Sequence, residues 1–365
     1  MKLKIENLQQ TGYRAINALN ASAIKLFDRD RNAFYREFVL GEKRKDKKSD
    51  SIVLGNLVDF ALSDCNGNTE EFESRFYEKF FLMSVKRGSG QMFDLADEIY
   101  KITLQHTDEE GNITTEFFER LSEAFTICQQ AGSFKGKTIE WVVEKWENDP
   151  AAVYFGSMID NLGKTVIDEW MLEKAKKCIE NVVTDENVGI LFRHHPQNTS
   201  IENLGKYVIQ TEYQGYDCKC EIDKLIIDHD LKLIIATEIK TNWDIEDGFE
   251  YTVSKLRYDL AAIFYKNCII QWMNTERKDL QGYQVEFQFL TVDTSPQNLR
   301  PLVRPVSAID MQNFYYGYKI RGKRYKGLFE LMQEIKWCST NQIWNISKEA
   351  YENNSVLPLN MNYGN

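Results

Sequence analysis

The sequence predicts an α/β protein, and three features carry that prediction. Residues 220–227 and 233–240 are apolar runs rich in isoleucine, separated by the polar Asp228, His229 and Asp230, which reads as two strands joined by a tight turn. Residues 283–292 alternate Val285, Phe287, Phe289 and Thr291, the period of a further strand. Around these segments apolar residues recur at helical spacing, most extensively from about 68 to 190. At 365 residues the length suits either two domains or one elaborated α/β domain.

The elements follow in order. A first helix opens at Ser22, a good N-cap, and runs through Ile24, Leu26, Phe27, Phe34, Tyr35 and Phe38 to Gly41. A charged connection with Lys43, Arg44, Lys45, Lys47 and Lys48 comes next. Residues 51–64 read as a short, very apolar helix carrying one acid, Asp59. Burying that carboxylate alone would cost several kcal/mol, so a cation or strong donors are expected beside it, and Asp59 becomes a candidate metal ligand. The helical stretch 68–190 has polar breaks near Lys86 to Gly90 and Asp108 to Asn112, holds no catalytic constellation and reads as an inserted or flanking region. His194 and His195 are adjacent, so in a strand they point to opposite sides; loop residues are expected rather than a pair of ligands.

Residues 207–213, a turn at Gln214 and Gly215, and the apolar hairpin make a three-stranded meander. A helix over 250–267 places Val253, Leu256, Leu260, Ile263 and Phe264 on a core stripe. Its neighbouring edge carries Ser254, Tyr258, Ala261 and Tyr265. The remainder reads as helices packed on the rest. The chain accordingly divides into 1–66, helices of the core; 67–195, the helical region; 196–295, the sheet and its following helix; and 296–365, the closing helices.

Chemistry enters at the hairpin. Centred between Asp230 and Leu231, it sets Asp223 opposite Glu238. Opposed residues have Cβ atoms about 4.5–5.5 Å apart, so the two carboxylates repel unless a cation lies between them. Hard oxygen ligands favour magnesium or manganese over zinc. Lys240 lies two residues beyond Glu238 on the same face, where its ammonium can approach the metal and whatever the metal binds. The competing explanation is a surface ion pair, worth about 0–1 kcal/mol. The acid-x-lysine spacing also occurs, among other places, at Asp46, Asp230 and Glu276, but none of these three ends an apolar run with a matching acid on the preceding strand, as Glu238 does. Because the tyrosine-bearing helix directly follows that strand, Tyr258 and Tyr265 are candidate substrate contacts.

A net charge of -10 excludes a protein that coats nucleic acid over its whole surface, so any DNA contact is local. Two segments could supply it: the lysine-rich 43–48, and 314–326, where Arg321, Lys323 and Arg324 interleave with aromatic residues. The seven cysteines include no Cys-x-x-Cys pair, which points to reduced thiols without a disulfide framework or zinc ribbon. With no apolar leader and no run long enough to cross a membrane, a soluble, cytoplasmic protein is expected.

Gly55-Asn56-Leu57-Val58-Asp59 after the helix opening at Ser22-Ala23-Ile24, then Asp223, Glu238-Ile239-Lys240-Thr241 and the segment from Leu256 to Tyr265, together resemble the PD-(D/E)XK nuclease superfamily. Within it the chain is most similar to the RecB-type and exodeoxyribonuclease VIII-type phage recombination exonucleases, over 22–64 and about 207–295. The resemblance implies a restriction-endonuclease-like core, with a central mixed sheet flanked by helices and a helical insertion. It implies a Mg2+- or Mn2+-dependent deoxyribonuclease, an exonuclease on linear duplex DNA in phage-type recombination or replication, leaving 5′-phosphate and 3′-hydroxyl ends. Asp223 and Glu238 are then metal ligands, the Ile239 carbonyl and Asp59 complete the set, Lys240 polarises the attacking water, and Arg257 joins Tyr258 and Tyr265 against the substrate. Two positions depart from the family: Asp59 stands where a histidine is usual, and Ala261 where a glutamine is usual. No iron–sulfur cluster is expected, since only Cys338 lies in the late region. A single-strand annealing or recombination protein and a homo-oligomeric ring are the implied partners. The alternatives are a catalytically inactive DNA-binding or scaffold module with this fold, and a structure-selective endonuclease of the resolvase kind.

Overall fold

The computed structural model describes residues 18–42, 49–83, 87–108, 111–192 and 200–357. The lysine-rich 43–48 and the pair His194 and His195 lie outside the described residues. The chain forms two compact units, one made of 1–69 with 175–365 and the other of 70–174.

Among the described residues the first unit opens with α1 (Ala21–Arg29), capped by Asn20, whose side chain accepts from the Ala23 N–H at 2.8 Å. The cap is Asn20 rather than the expected Ser22, and the single helix expected to reach Gly41 is broken at Asp30. Asp30 takes an extended backbone and turns its carboxylate onto the Ala33 N–H at 2.9 Å, restarting the chain as α2 (Arg31–Phe34). A short polar side chain that can bond to the backbone favours such a cap over a helix interior. A π-helical turn, Tyr35–Val39, ends the segment. Then α3 (Asp50–Asp59) runs into a second π-helical turn, Phe60–Asp64, burying Val53, Leu54, Leu57, Val58, Phe60 and Leu62.

The second unit holds α4 (Thr69–Lys79, its first residue belonging to the first unit), β1 (Phe80–Leu82), α5 (Gln91–Gln105), α6 (Phe117–Gln130), α7 (Ile139–Trp146), α8 (Pro150–Ile159) and β2 (Thr165–Ile167). Its own core includes Leu95, Ile99, Leu121, Phe125, Val142 and Phe155. The sequence suggested helices alone here, but β1 and β2 pair in parallel. Three-residue strands are too short for a period-2 pattern to register. α9 (Glu169–Thr184) leads back into the first unit.

There a five-stranded mixed sheet, flanked by helices, has the order β3 (Ile201–Tyr213), β4 (Tyr216–Asp228), β5 (Leu233–Asn242), β6 (Gln284–Asp293) and β7 (Leu302–Pro305). Gln214 and Gly215 both adopt positive φ, 52° and 83°, the two-residue turn that matches strand twist. In the next turn the Asp228 carboxylate accepts from the Asp230 and Leu231 N–H groups at 3.0 and 2.9 Å. The β4–β5 register is the expected one, with Ile227 opposite Ile234 and Lys224 opposite Thr237. β5 and β6 are parallel, so a crossover must join them.

That crossover is two helices, α10 (Phe249–Lys255) and α11 (Tyr258–Thr275), where one was expected. Arg257 between them has φ 55°, and Leu256, expected in the core, is exposed. The buried Arg257 guanidinium explains the break. It bonds Asp28 and Asp259 as well as the Lys326 carbonyl, and satisfying three partners on different segments fixes the backbone against helix continuation.

The closing segment, expected to be helical, supplies β7 to the sheet edge before α12 (Ala308–Tyr316). A further hairpin, β8 (Tyr318–Ile320) with β9 (Lys323–Tyr325), precedes α13 (Leu328–Asn341) and α14 (Lys348–Glu352). The core joins α1, α11 and α13 to the sheet through residues such as Ile24, Phe27, Ile222, Phe264, Phe287 and Leu331. All seven cysteines are buried, and none is in a disulfide. Among the described residues no helix is long and apolar enough to cross a membrane.

Candidate functional site

Strict alternation fails at one place in the sheet, and the failure builds the site. On β4 the core takes Cys218, Cys220 and Ile222, then Leu225 and Ile227; on β3 it takes Ile209 and Tyr207, then Leu204. Each strand therefore skips a step, at Asp223 and at Lys206. These two are the pair missing from the ladder between Tyr207–Ile222 and Gly205–Lys224. Lys206 has φ 48°, a conformation that costs a non-glycine residue about 1–2 kcal/mol. The result is a lysine and an aspartate facing each other across two strands, with Nζ 3.8 Å from Oδ1.

Asp223 also reaches β5, its other oxygen accepting from the Ile239 N–H at 2.8 Å. The ladder of paired residues stops at Lys224–Thr237, so the carboxylate takes over a backbone donor as the strands part. On β5, Lys240 Nζ lies 2.6 Å from Glu238 Oε1. Both stand on one face, as two-residue spacing requires. Tyr258, the first residue of α11, presents its ring to two ammonium groups: Lys240 at 5.4 Å and Lys25 of α1 at 5.1 Å from the ring centre. Both lie within cation–π range.

The cation expected beside Asp59 is Lys206. Its Nζ is bonded to Asp59 and lies 3.5 Å from Glu221, 3.8 Å from Asp64 and 3.8 Å from Asp223. Asp59 further accepts from Ser63 at 2.6 Å. Two glycines allow this approach. Gly55 lies where a Cβ would come 3.1 Å from Thr241 Oγ1 on β5, and at Gly205 a Cβ would overlap the Ser63 carbonyl oxygen. With the backbones this close, α3 and its π-helical turn carry Asp59 and Asp64 onto the sheet.

Electrostatics separates the acids. Burial works against the charged Asp59, yet Lys206 prevails and holds its pKa below the ordinary aspartate range. Burial, then Glu238 and Asp59, push Asp223 well above that range. Burial likewise opposes the Lys206 ammonium, but Asp59, Asp223, Glu221 and Asp64 hold it firmly protonated. Lys240 is also raised, its burial outweighed by Glu238 and Asp223. Lys25, through burial and the nearby Lys240, is brought down to about 8.

Among the described residues no group of three or more histidine, cysteine, aspartate or glutamate side chains stands ready to hold a metal ion; an ammonium lies among the acids instead. The donor chemistry nevertheless fits a hard divalent cation. Glu238 and Glu221 each keep one buried oxygen, Oε2, without a hydrogen-bond partner. Such atoms are costly unless something satisfies them. Fully ionised, the cluster would set five carboxylates (Asp59, Asp64, Glu221, Asp223, Glu238) against three lysines (Lys25, Lys206, Lys240), a formal excess of two negative charges that one divalent ion would cancel. Asp223, Glu238 and Asp59 are the residues that would hold it, with Ile239 between the two β5 side chains.

The other expected contacts divide. Tyr258 meets Lys240 as anticipated, whereas Tyr265 packs its ring against Phe264 and Phe287 in the apolar core. Arg257 is corrected from a substrate contact to a structural one, since it is buried and bonded to Asp28, Asp259 and the Lys326 carbonyl. Ala261 is buried in the core. Arg321, Lys323 and Arg324 are exposed on the β8–β9 hairpin, where Tyr318 and Tyr325 stack at 5.2 Å. Arg324 is bonded to Glu330 at 2.8 Å. Sequence reasoning missed Lys206, Asp64, Glu221 and Lys25. Lys206 had one available signal, a lone lysine following a glycine inside a run that otherwise reads as strand. Scanned against protein-family models the chain matches none, and no curated protein matches it.

Proposed function

We propose that this chain is a metal-dependent deoxyribonuclease with a PD-(D/E)XK core, acting as an exonuclease on linear duplex DNA. The observation that supports the reading most is the meeting of Asp223, Glu238 and Lys240 where β4 and β5 part, with Asp59 brought in from α3. A divalent ion bound there would supply a Lewis acid and a water activated near neutral pH. Asp223 and Glu238 offer it oxygen ligands from two strands, just past the last paired residues, Lys224 and Thr237. Lys240, anchored on Glu238 at 2.6 Å, carries the positive charge that a phosphodiester's developing negative charge requires. Tyr258 steadies that ammonium through its ring and walls the site from the α11 side. Arg321, Lys323 and Arg324 would neutralise phosphates from the β8–β9 hairpin. Products would carry 5′-phosphate and 3′-hydroxyl ends.

A specific observation favours a second reading, a catalytically silent DNA-binding module of the same fold. Lys206 already neutralises Asp59 and reaches three more acids. The two readings part on end-labelled linear duplex DNA titrated with Mg2+ and Mn2+, with nicked, closed circular and branched DNA alongside. The nuclease reading expects digestion of linear DNA only, abolished in Lys240→Ala with DNA binding nearly intact. Digestion by that variant at the wild-type rate overturns it, and no cleavage of any DNA by the wild type leaves the silent module.

A further inference from the structure

We infer that Lys206, held among Asp59, Asp64, Glu221 and Asp223, is an internal counter-ion that occupies the place of a divalent cation beside Asp59 and Asp223, and that it sets metal affinity by having to withdraw. This rests on the metal-dependent reading of the site. The ammonium contacts Asp59 and lies 3.8 Å from Asp223, the two acids that a metal would share. A second cation bound between them would stand within a few ångströms of Nζ, where like charges exclude each other. Withdrawal has somewhere to end. Glu221 at 3.5 Å and Asp64 at 3.8 Å flank the ammonium, and Glu221 keeps a buried oxygen with no partner. Shifting onto these two frees Asp59 and Asp223 without stranding the lysine. The left-handed backbone at Lys206, φ 48°, marks the position as one where conformational cost is borne to aim this side chain at the acids.

The exclusion predicts a gain on removing the charge. Mn2+ binding is measured by calorimetry on the full chain, with thermal melts with and without Mn2+. Lys206→Met is expected to bind Mn2+ at least about tenfold more tightly than wild type. Its melting temperature without metal is expected to fall and to be restored by Mn2+. Lys206→Gln, which can still hydrogen-bond the acids, keeps the test open if the methionine variant does not fold, and should also tighten binding. Lys206→Arg keeps the charge and should leave the affinity within about threefold. Tightening that disappears in Lys206→Met/Asp59→Asn supports the proposal and assigns the ion to these acids. Equal or weaker Mn2+ binding by the neutral variants overturns the proposal while the metal reading stands. Absence of Mn2+ binding in the wild type and every variant overturns the metal reading itself.

Discussion

Replacing Gly205 with alanine tests how the site is assembled without touching any charged group. A Cβ at 205 would fall well inside 3.0 Å of the Ser63 carbonyl oxygen, a backbone atom that cannot rotate away, whereas ordinary contact begins near 3.4 Å. Relief requires β3 and the turn after α3 to separate by about 1 Å, and such overpacking typically costs about 1–3 kcal/mol. The same displacement acts on chemistry, because Ser63 bonds Asp59 at 2.6 Å and Lys206 follows Gly205 directly on the strand. Disturbing the groups behind a metal ligand weakens binding by about 10- to 100-fold. Gly205→Ala should therefore lower the urea-denaturation free energy by about 1–3 kcal/mol and weaken Mn2+ binding at least about tenfold. Gly55→Ala is the control. Its Cβ would come only 3.1 Å from the side-chain oxygen of Thr241, which can turn aside, and alanine gains up to about 1 kcal/mol over glycine inside a helix. That variant should stay within about 1 kcal/mol of wild type. A Gly205→Ala protein with wild-type stability and unchanged Mn2+ affinity would refute the account of how Asp59 is positioned.

Asp59→Ala should weaken Mn2+ binding more than it lowers the melting temperature, because Asp64, Glu221 and Asp223 still surround Lys206; calorimetry beside thermal melts checks this, and unchanged affinity with a large loss of stability would reverse the assignment. Asp185 accepts from the Val188 and Asn187 N–H groups and from Arg300, which bring its pKa down to about 2. The folded state thus binds the proton less readily than the unfolded chain, so this contribution is present above about pH 4 and is lost as pH falls toward 2. Wild type should lose more stability across that window than Asp185→Asn, and parallel pH profiles in urea titrations would contradict the reasoning.

The hairpin at the centre of the site was written in local sequence. Isoleucine-rich runs around Asp228, His229 and Asp230 define both strands and, through the turn, their register, because pairing in a tight hairpin leaves no freedom once its centre is set. That register also called for Asp223 opposite Glu238, but the pairing ends at Lys224–Thr237 and Asp223 turns to the Ile239 N–H instead; Lys240 on the face of Glu238 and, from the cost of a lone buried acid, a cation beside Asp59 are both present. Which cation it is lay beyond local pattern. Lys206 is separated from Asp59 by 147 positions and points at the acids only because the alternation of two strands slips at one pair. Arg257 shows the same limit from the other side: its neighbours suggested an uninterrupted helix, while Asp28 and the Lys326 carbonyl, from distant segments, join the nearby Asp259 in holding it in a left-handed turn. Periodicity records what each residue does to its near neighbours along the chain. Tertiary packing decided which distant charges meet, since the free energy of a buried ion depends on partners that only the folded chain brings within a few ångströms.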